Sequence, residues 1–196
     1  MTLGNGTGVA SNYSLSSGTF NVTARPVTLT TSRFFDNTKN VDATNLSVTF
    51  NNLAGSETLS LSGLGAVSSE NVASGQQSVT LGTLSLADNS GVASNYSLIS
   101  ATLDINVKPI SLSGSKVYDA SATAASSALT ISGTVAGQTL TLTGNGTLSA
   151  GADVGTNKTI NTSGLTLGNG SGGTAGVATN YSLAVSYTHL TLPTIA

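Results

Sequence analysis

The quartet Asn95-Tyr96-Ser97-Leu98 decides the fold, because the same four residues also stand at 12–15 and 180–183. The copies begin 83 and 85 positions apart, and a Gly-Val-Ala sequence lies shortly before each of them. A constant spacing of this size indicates one structural unit copied in tandem. Such an array is typical of a spacer or a multivalent binding surface rather than of a single active site.

Other landmarks recur with nearly the same spacing. They are Arg25-Pro26 with Lys108-Pro109, Phe35-Asp36 with Tyr118-Asp119, and 59–63 with 140–144. The first two pairs are 83 positions apart and the third is 81 apart, so small insertions and deletions fall in the loops between landmarks.

Proline interrupts a β-ladder, so Pro26 and Pro109 mark the predicted starts of units. The chain then divides into four predicted segments. Residues 1–25 are the C-terminal end of a preceding repeat, 26–108 a complete repeat, 109–184 a repeat truncated at its C-terminus, and 185–196 a non-native tail.

The tail breaks the repeat and holds the chain's one histidine, His189. Residues 185–194 resemble the translation of a sequencing adapter, since the transposon-end oligonucleotide used in library preparation encodes these ten residues in full. A divergent final strand is the alternative. If the adapter interpretation holds, His189 has no biological role.

The composition is poor in charge. Only 7% of the residues are charged, against about 25% in ordinary domains, and there is no cysteine. A net charge of −2 does not indicate binding to nucleic acid or to an anionic membrane. No apolar run approaches the length that spans a bilayer. Ser, Thr, Asn and Gly in place of charges are expected of an extracellular or bacterial cell-surface protein.

Alternation of apolar and polar residues predicts an all-β fold. Short strands are predicted at 27–30, 45–50, 58–61, 79–81, 83–86, 96–98 and 101–107, with Leu103, Ile105 and Val107 facing inward. Six or seven strands in about 83 residues favour tandem small β-sandwich-like repeats. The alternative is a β-solenoid, whose coils repeat about every 20 to 30 residues.

Residues for catalysis or metal binding are scarce. Nucleophilic triads and soft-metal sites need His or Cys, and the eight carboxylates are scattered, with only Asp36 and Asp119 at equivalent repeat positions. Asp88 could offer oxygen ligands to calcium, but the equivalent loops carry no carboxylate, which favours turn formation. We therefore predict no enzyme activity, no cofactor and no metal.

The repeat-signature residues are predicted to be structural. They are Tyr13, Tyr96, Tyr181, Phe35, Asp36, Tyr118, Asp119, Pro26 and Pro109. Each quartet tyrosine is expected to bury its ring and leave its hydroxyl near the surface. Each Phe/Tyr-Asp pair is expected to form a packed aromatic followed by a carboxylate that caps a turn.

The landmarks resemble a known family. Lys116-Val117-Tyr118-Asp119 is similar to the Lys-x-Tyr-Asp-Gly signature of the YDG-type repeats in large bacterial surface adhesins, and segments 92–98 and 105–109 resemble the end of that repeat and its Lys-Pro junction. The resemblance covers essentially all of residues 1–184. The chain departs from the signature at Ala120 and Asn37, which stand where the family has glycine; Asn tolerates the left-handed conformation that glycine would supply.

The resemblance implies a segment of a filamentous-haemagglutinin-like, two-partner-secretion exoprotein on the Gram-negative outer surface. Its repeats would form a stalk or a multivalent adhesive surface. The expected partners are adjacent repeats and surface glycans or proteins of a host or neighbouring cell, with no nucleic acid and no membrane insertion. A carbohydrate-binding module of a secreted protein is the alternative.

An orphaned strand is also predicted. The last unit lacks its final strand, whereas residues 16–25 hold that strand of another repeat. An unpaired strand edge recruits other chains, so strand-swapped oligomers are expected, unless Thr19–Thr23 closes within its own chain.

Overall fold

The structure of the chain is a computed structural model that describes residues 1–72, 76–183 and 186–187. Apart from short 3-10 turns, the regular structure of these residues is all β-strand, which confirms the all-β prediction.

The described part of the first unit has eight strands, of which the two longest alternate buried and more exposed side chains, as the sequence pattern predicts. The eight strands are β1 (Arg25–Phe34), β2 (Asn40–Asp42), β3 (Ser47–Asn51), β4 (Ser60–Ser62), β5 (Leu64–Ala66), β6 (Gln77–Ser78), β7 (Ser85–Ala87) and β8 (Tyr96–Asn106). The second unit has β9 (Lys108–Gly114), β10 (Thr123–Ala125), β11 (Leu129–Ser132), β12 (Leu140–Leu148), β13 (Thr159–Asn161), β14 (Leu165–Asn169), β15 (Tyr181–Leu183) and β16 (Ser186–Tyr187).

A long parallel pair forms the centre of the first unit. Strands β1 and β8 run side by side from Arg25 opposite Tyr96 to Phe34 opposite Asn106. Antiparallel β3 and β6 flank them in the order β3-β1-β8-β6, while β2 pairs with β5 and β4 with β7. The buried faces of β1 and β8 meet in one core, which includes Leu29 and Leu103.

The second unit repeats this plan. Strand β9 lies between β11 and β15, and its pairing with β15 is again parallel, with Lys108 opposite Tyr181. Strand β12 pairs with β10, β13 and β14, and the backbone of β16 pairs with β13. A second core holds Leu112, Ala124, Leu148, Ile160 and Leu165.

The pairing pattern favours tandem domains over a solenoid. Partners in the parallel pair β1–β8 are about 70 residues apart in sequence, and the pairs β1–β3 and β6–β8 are antiparallel. A solenoid with coils of about 20 to 30 residues would instead stack each coil on the next one.

The two units are joined by a single residue, Val107, between the end of β8 and the start of β9. The prediction that Val107 faces inward with Leu103 and Ile105 is wrong. Its side chain is exposed whereas the other two are buried, because the regular alternation of β8 ends at the junction.

Two glycines allow a close approach of two backbone segments. Gly63 and Gly144 occupy the same repeat position and have φ angles of +81° and +85°. A Cβ atom on Gly63 would lie 2.0 Å from the carbonyl oxygen of Thr83, and one on Gly144 would lie 2.2 Å from that of Gly164. The recurring Leu-x-Leu-x-Gly segment therefore ends in glycine for steric reasons.

Gly144→Ala is expected to lower the free energy of unfolding by more than about 2 kcal/mol, since it adds a backbone clash to left-handed strain of roughly 1–2 kcal/mol. The matched control is Gly172→Ala, at φ +82° with open space around its Cβ, which carries the strain alone. Urea denaturation of both variants measures the difference. Equal losses would contradict the close approach at Gly144.

Candidate functional site

A charged pair stands at the end of the first strand of each unit. In the first unit Arg33 Nη1 lies 3.0 Å from Asp36 Oδ2, and in the second unit Lys116 Nζ lies 2.8 Å from Asp119 Oδ1. The cation also donates to backbone carbonyls of the following turn, which are those of Thr38 and Asn40 for Arg33. In both units, a cation three residues before the aspartate thus closes a turn.

The carboxylate of this pair also caps the turn. Asp36 Oδ1 accepts a hydrogen bond from the Thr38 N–H at 3.1 Å, and Asp119 Oδ1 accepts one from the Ser121 N–H at 3.0 Å. The hydrogen bond from Lys116, followed by that from the Ser121 N–H, lowers the pKa of Asp119. Both aspartates therefore cap turns in the manner that the sequence predicts.

The residue after each aspartate has left-handed backbone. Asn37 has φ +61° and Ala120 has φ +58°. The two departures from the glycine of the signature therefore keep the turn conformation. Asparagine adopts it readily, whereas alanine is strained there.

The aromatic residue of the signature has different surroundings in the two units. The Phe35 ring is 1% exposed and meets the Tyr181 ring edge-on, with centroids 5.4 Å apart and planes at 80°. Phe35 belongs to the first unit and Tyr181 to the second. Tyr118, the counterpart of Phe35, is 57% exposed, so the predicted packing of both aromatics is wrong for Tyr118.

The quartet tyrosines of both units anchor their own turns. The Tyr96 ring is buried; its hydroxyl accepts from the Ala54 N–H at 3.1 Å and donates to Glu57. That hydrogen bond to Glu57 raises the pKa of Tyr96. The Tyr181 hydroxyl likewise accepts from the Val135 N–H at 3.1 Å and donates to Gln138 at 2.6 Å.

The 3-10 turn before each quartet is held by a side-chain oxygen. Asn5, Asp88 and Asn169 accept hydrogen bonds of 2.6, 2.7 and 2.8 Å from the first N–H groups of their turns, those of Ala10, Ala93 and Ala178 respectively. Asp88 therefore stabilises a turn, as the neutral residues Asn5 and Asn169 do at the equivalent positions. This is the role that the sequence favours over calcium binding. The same backbone conformation at all three turns follows from this shared contact.

The asparagine of the last quartet reaches across to the other unit. Asn180 is 1% exposed; its Nδ2 donates to Asn71 Oδ1 at 2.7 Å and its Oδ1 accepts from the Val72 N–H at 2.9 Å. Asn95, at the same position of the preceding quartet, is exposed. Asn180 and Tyr181 together with Asn71, Val72 and Phe35 form a contact between the units, here named the unit junction.

Comparison with known proteins identifies the repeat. The model of the YDG domain matches residues 19–105 and 102–189. The chain belongs to the YDG domain family. No curated protein and no solved structure is significantly similar to it.

The two YDG domains cover both structural units and run into the segment assigned above to the tail. Ser186 and Tyr187 lie in strand β16, while His189 and the other residues from 188 onward lie outside the described residues. The adapter interpretation and the four segment boundaries remain predictions.

Pro26 and Pro109 each stand one residue inside the first strand of a YDG unit, opposite Ser97 and Ser182. Both proline side chains are exposed. A strand start is a position where the missing N–H costs little.

Tyr13 differs from the other quartet tyrosines. Its ring is 69% exposed, which makes the predicted burial wrong at this position. Tyr96 and Tyr181 lie beside the first strand of their own unit, whereas residues 13–24 form no strand and are exposed.

The described residues contain no group of three or more His, Cys, Asp or Glu side chains that could hold a metal ion. Within the same part of the chain, no helix has the length and hydrophobicity needed to cross a bilayer.

Ala120→Gly is expected to raise the free energy of unfolding by about 0.5–1 kcal/mol. It removes left-handed strain of roughly 1–2 kcal/mol, and glycine's greater chain entropy offsets part of that gain. Asn37→Gly is the matched control at the same repeat position, where the change should be a few tenths of a kcal/mol at most. Thermal melts of both variants measure the difference, and a larger gain at Asn37 would contradict it.

Asn180→Ala is expected to destabilise the protein by about 1–3 kcal/mol, because it leaves the Val72 N–H and the Asn71 side chain without their partner across the unit junction. Asn95→Ala is the matched control in the same quartet and should change stability by no more than about 0.5 kcal/mol. Urea denaturation followed by circular dichroism measures both. Equal effects would mean that the buried asparagine contributes nothing to the junction.

Proposed function

We propose that this chain is a non-enzymatic repeat segment of a secreted or surface-displayed bacterial adhesin. Its YDG units act as a stalk or as a multivalent adhesive surface. The proposed partners are adjacent repeats of the same chain and glycans or proteins on a host or neighbouring cell. The proposed location is the outer surface of a Gram-negative bacterium.

The observation that carries the proposal is the unit junction. Phe35 and Asn71 of one unit hold Tyr181 and Asn180 of the next, and a single residue links the two units. Contacts of this kind limit bending between neighbours, and a series of such units makes a stiff, extended element. Many weak contacts along such an element raise its overall affinity for a surface.

Two of the exposed aromatic residues, Tyr118 and Phe20, support the same proposal. Tyr118 is exposed where Phe35 is buried, and Phe20 is exposed where Leu103 is buried in the complete unit. These side chains are thus at positions used for packing within and between units.

The titratable groups also support a non-enzymatic role. Asp36 and Asp119 are held in ion pairs that close turns, and Asp88 caps another turn. A general acid or base needs a position from which it reaches a substrate. These three carboxylates are instead bound to the protein's own backbone.

A carbohydrate-binding module is the second candidate, and one cleft favours it. Exposed Phe34 lines an open cleft of about 360 Å³ together with Asn45 and Asn106. An aromatic face beside side-chain amides suits the apolar face and the hydroxyls of a sugar ring.

A glycan-binding screen separates the two candidates. The stalk or adhesive-surface proposal expects any glycan binding to be independent of the cleft at Phe34, so Phe34→Ala should change nothing. Val117→Ala is the matched control, because Val117 is the exposed counterpart of Phe34 in the second unit. Specific binding that Phe34→Ala abolishes and Val117→Ala preserves would establish the carbohydrate-binding module instead.

The stiffness of the pair is tested by spin labelling. The chain has no cysteine, so Thr49→Cys and Thr130→Cys place labels at exposed positions on β3 and β11. A stalk expects one narrow distribution of distances between the labels, and Asn180→Ala should broaden it. A broad distribution without that substitution would overturn the stalk.

A further inference from the structure

The outer edge of strand β3 has no partner within the described part of the chain. β3 lies at one end of the sheet order β3-β1-β8-β6, and its pairing with β1 runs over five residues without a bulge. Among the described residues, β3 makes backbone hydrogen bonds only to β1. In an antiparallel pair, alternate residues direct their N–H and C=O groups away from the partner. β3 therefore presents unpaired backbone donors and acceptors along its outer side.

The sequence around β3 contains none of the residues that usually block such an edge. Natural edge strands carry charged side chains, proline or bulges that prevent pairing with another chain. Residues 43–56 contain no Asp, Glu, Lys, Arg or Pro. The second unit has the same kind of edge, because within the described residues β11 pairs with β9 alone. The edge is thus a property of the repeat, and nothing in the local sequence prevents a further strand from joining it.

The side chains of β3 divide between two faces. Val48 and Phe50 are half-buried and pack against the core of the first unit. The exposed side chains are those of Ser47, Thr49 and Asn51. A strand added beside β3 therefore has to present apolar side chains on one face and uncharged polar side chains on the other. β3 itself has this pattern.

An antiparallel copy of β3 fits its own edge when a two-fold axis passes through Thr49. Thr49 then stands opposite Thr49 of the second copy, Val48 opposite Phe50, and Ser47 opposite Asn51. Sheets are stabilised by cross-strand pairs of two threonines and by pairs of a β-branched with an aromatic side chain. The half-buried Val48 and Phe50 also lose exposed apolar area in this pairing, which stabilises the contact.

We propose that the outer edge of β3 is a dimerisation surface, and that its occupant is β3 of a second copy of this chain in antiparallel register with Thr49 at the centre. The two four-stranded sheets then join into one continuous sheet. Because both copies use the same edge, the contact closes on itself and gives a dimer rather than a filament. The inference concerns contacts between copies, so it stands or falls independently of glycan binding.

The corresponding edge of β11 is a poorer site. The strand begins at Leu129, directly after a 3-10 turn, and ends at Ser132. About a centre at Thr130, only the three residues from Leu129 to Ile131 therefore have a strand residue of a second β11 opposite them. β3 offers five residues around its centre. The β11 edge therefore serves as the control for β3.

Sedimentation of the full chain over a range of concentrations tests the proposal. Wild-type protein is expected to double in mass as its concentration rises. Thr49→Lys and Thr49→Glu should each remain monomeric, since either substitution places two like charges directly opposite each other. Thr49 is exposed, so neither variant should lose its fold, and circular dichroism checks this. A wild-type protein that stays monomeric up to millimolar concentration would overturn the proposal.

Mixing the two variants tests the register. An equimolar mixture of Thr49→Lys and Thr49→Glu should recover the dimer, because each mixed pair places a lysine opposite a glutamate. Added salt should weaken this mixed dimer more than the wild-type dimer, since it screens the exposed charges. A mixture that stays monomeric would show that Thr49 does not stand opposite itself, and the proposed dimer would then be wrong.

Two control variants separate this edge from the other causes of association. Thr130→Lys places the same charge at the corresponding position of β11 and should associate as wild type does. Phe20→Ser tests pairing through the orphaned strand, in which Phe20 is exposed, and should also leave the dimer unchanged. If either control variant abolishes association, another strand makes the contact and the β3 dimer is contradicted.

Discussion

The parallel pairing of the first and last strands of each unit is the constraint on which the rest of the structure depends. It brings Arg25 beside Tyr96 and Lys108 beside Tyr181, and so closes a unit of more than 80 residues. The intervening strands pair around this closure in mostly antiparallel fashion. The last strand of one unit then continues through Val107 into the first strand of the next. The strands that close one unit are thus also the strands that connect it to its neighbours.

The signature residues follow from this closure. The first strand ends where the cation and the aspartate close a turn, and the left-handed residue after the aspartate redirects the chain toward the next strand. In the first unit the aromatic between them is Phe35, which is buried. The Phe35 ring meets the quartet tyrosine of the following unit, Tyr181, so at this junction the signature of one unit contacts the quartet of the next.

Much of the fold could be predicted from the sequence. Period-two alternation predicted β1, β3, β4, β7 and β8 to within a few residues, and the spacing of the quartets predicted the unit. The alternation missed β2 and β5, which are only three residues long, and the strand predicted at 79–81 is wrong because only Thr80 makes an isolated bridge there. The ion pair of Lys116 with Asp119 was missed, although a cation three residues before an aspartate at both repeat positions was a usable signal. The different surroundings of Asn95 and Asn180 could not be predicted, because identical quartets differ only in what lies beside them. Tyr13 and Tyr118 were mispredicted because residues at equivalent repeat positions are buried in one copy and exposed in another, which the local sequence does not indicate.

The parallel closure also determines how a unit bears load. Tension along an array enters a unit at the start of β1, near Arg25, and leaves it at the end of β8, near Asn106. Because the two strands point the same way, these points lie at opposite ends of the pair, and the pull slides one strand along the other. The hydrogen bonds between them are then loaded together in shear rather than opened one after another. Mechanical resistance is therefore a property of the closing pair itself.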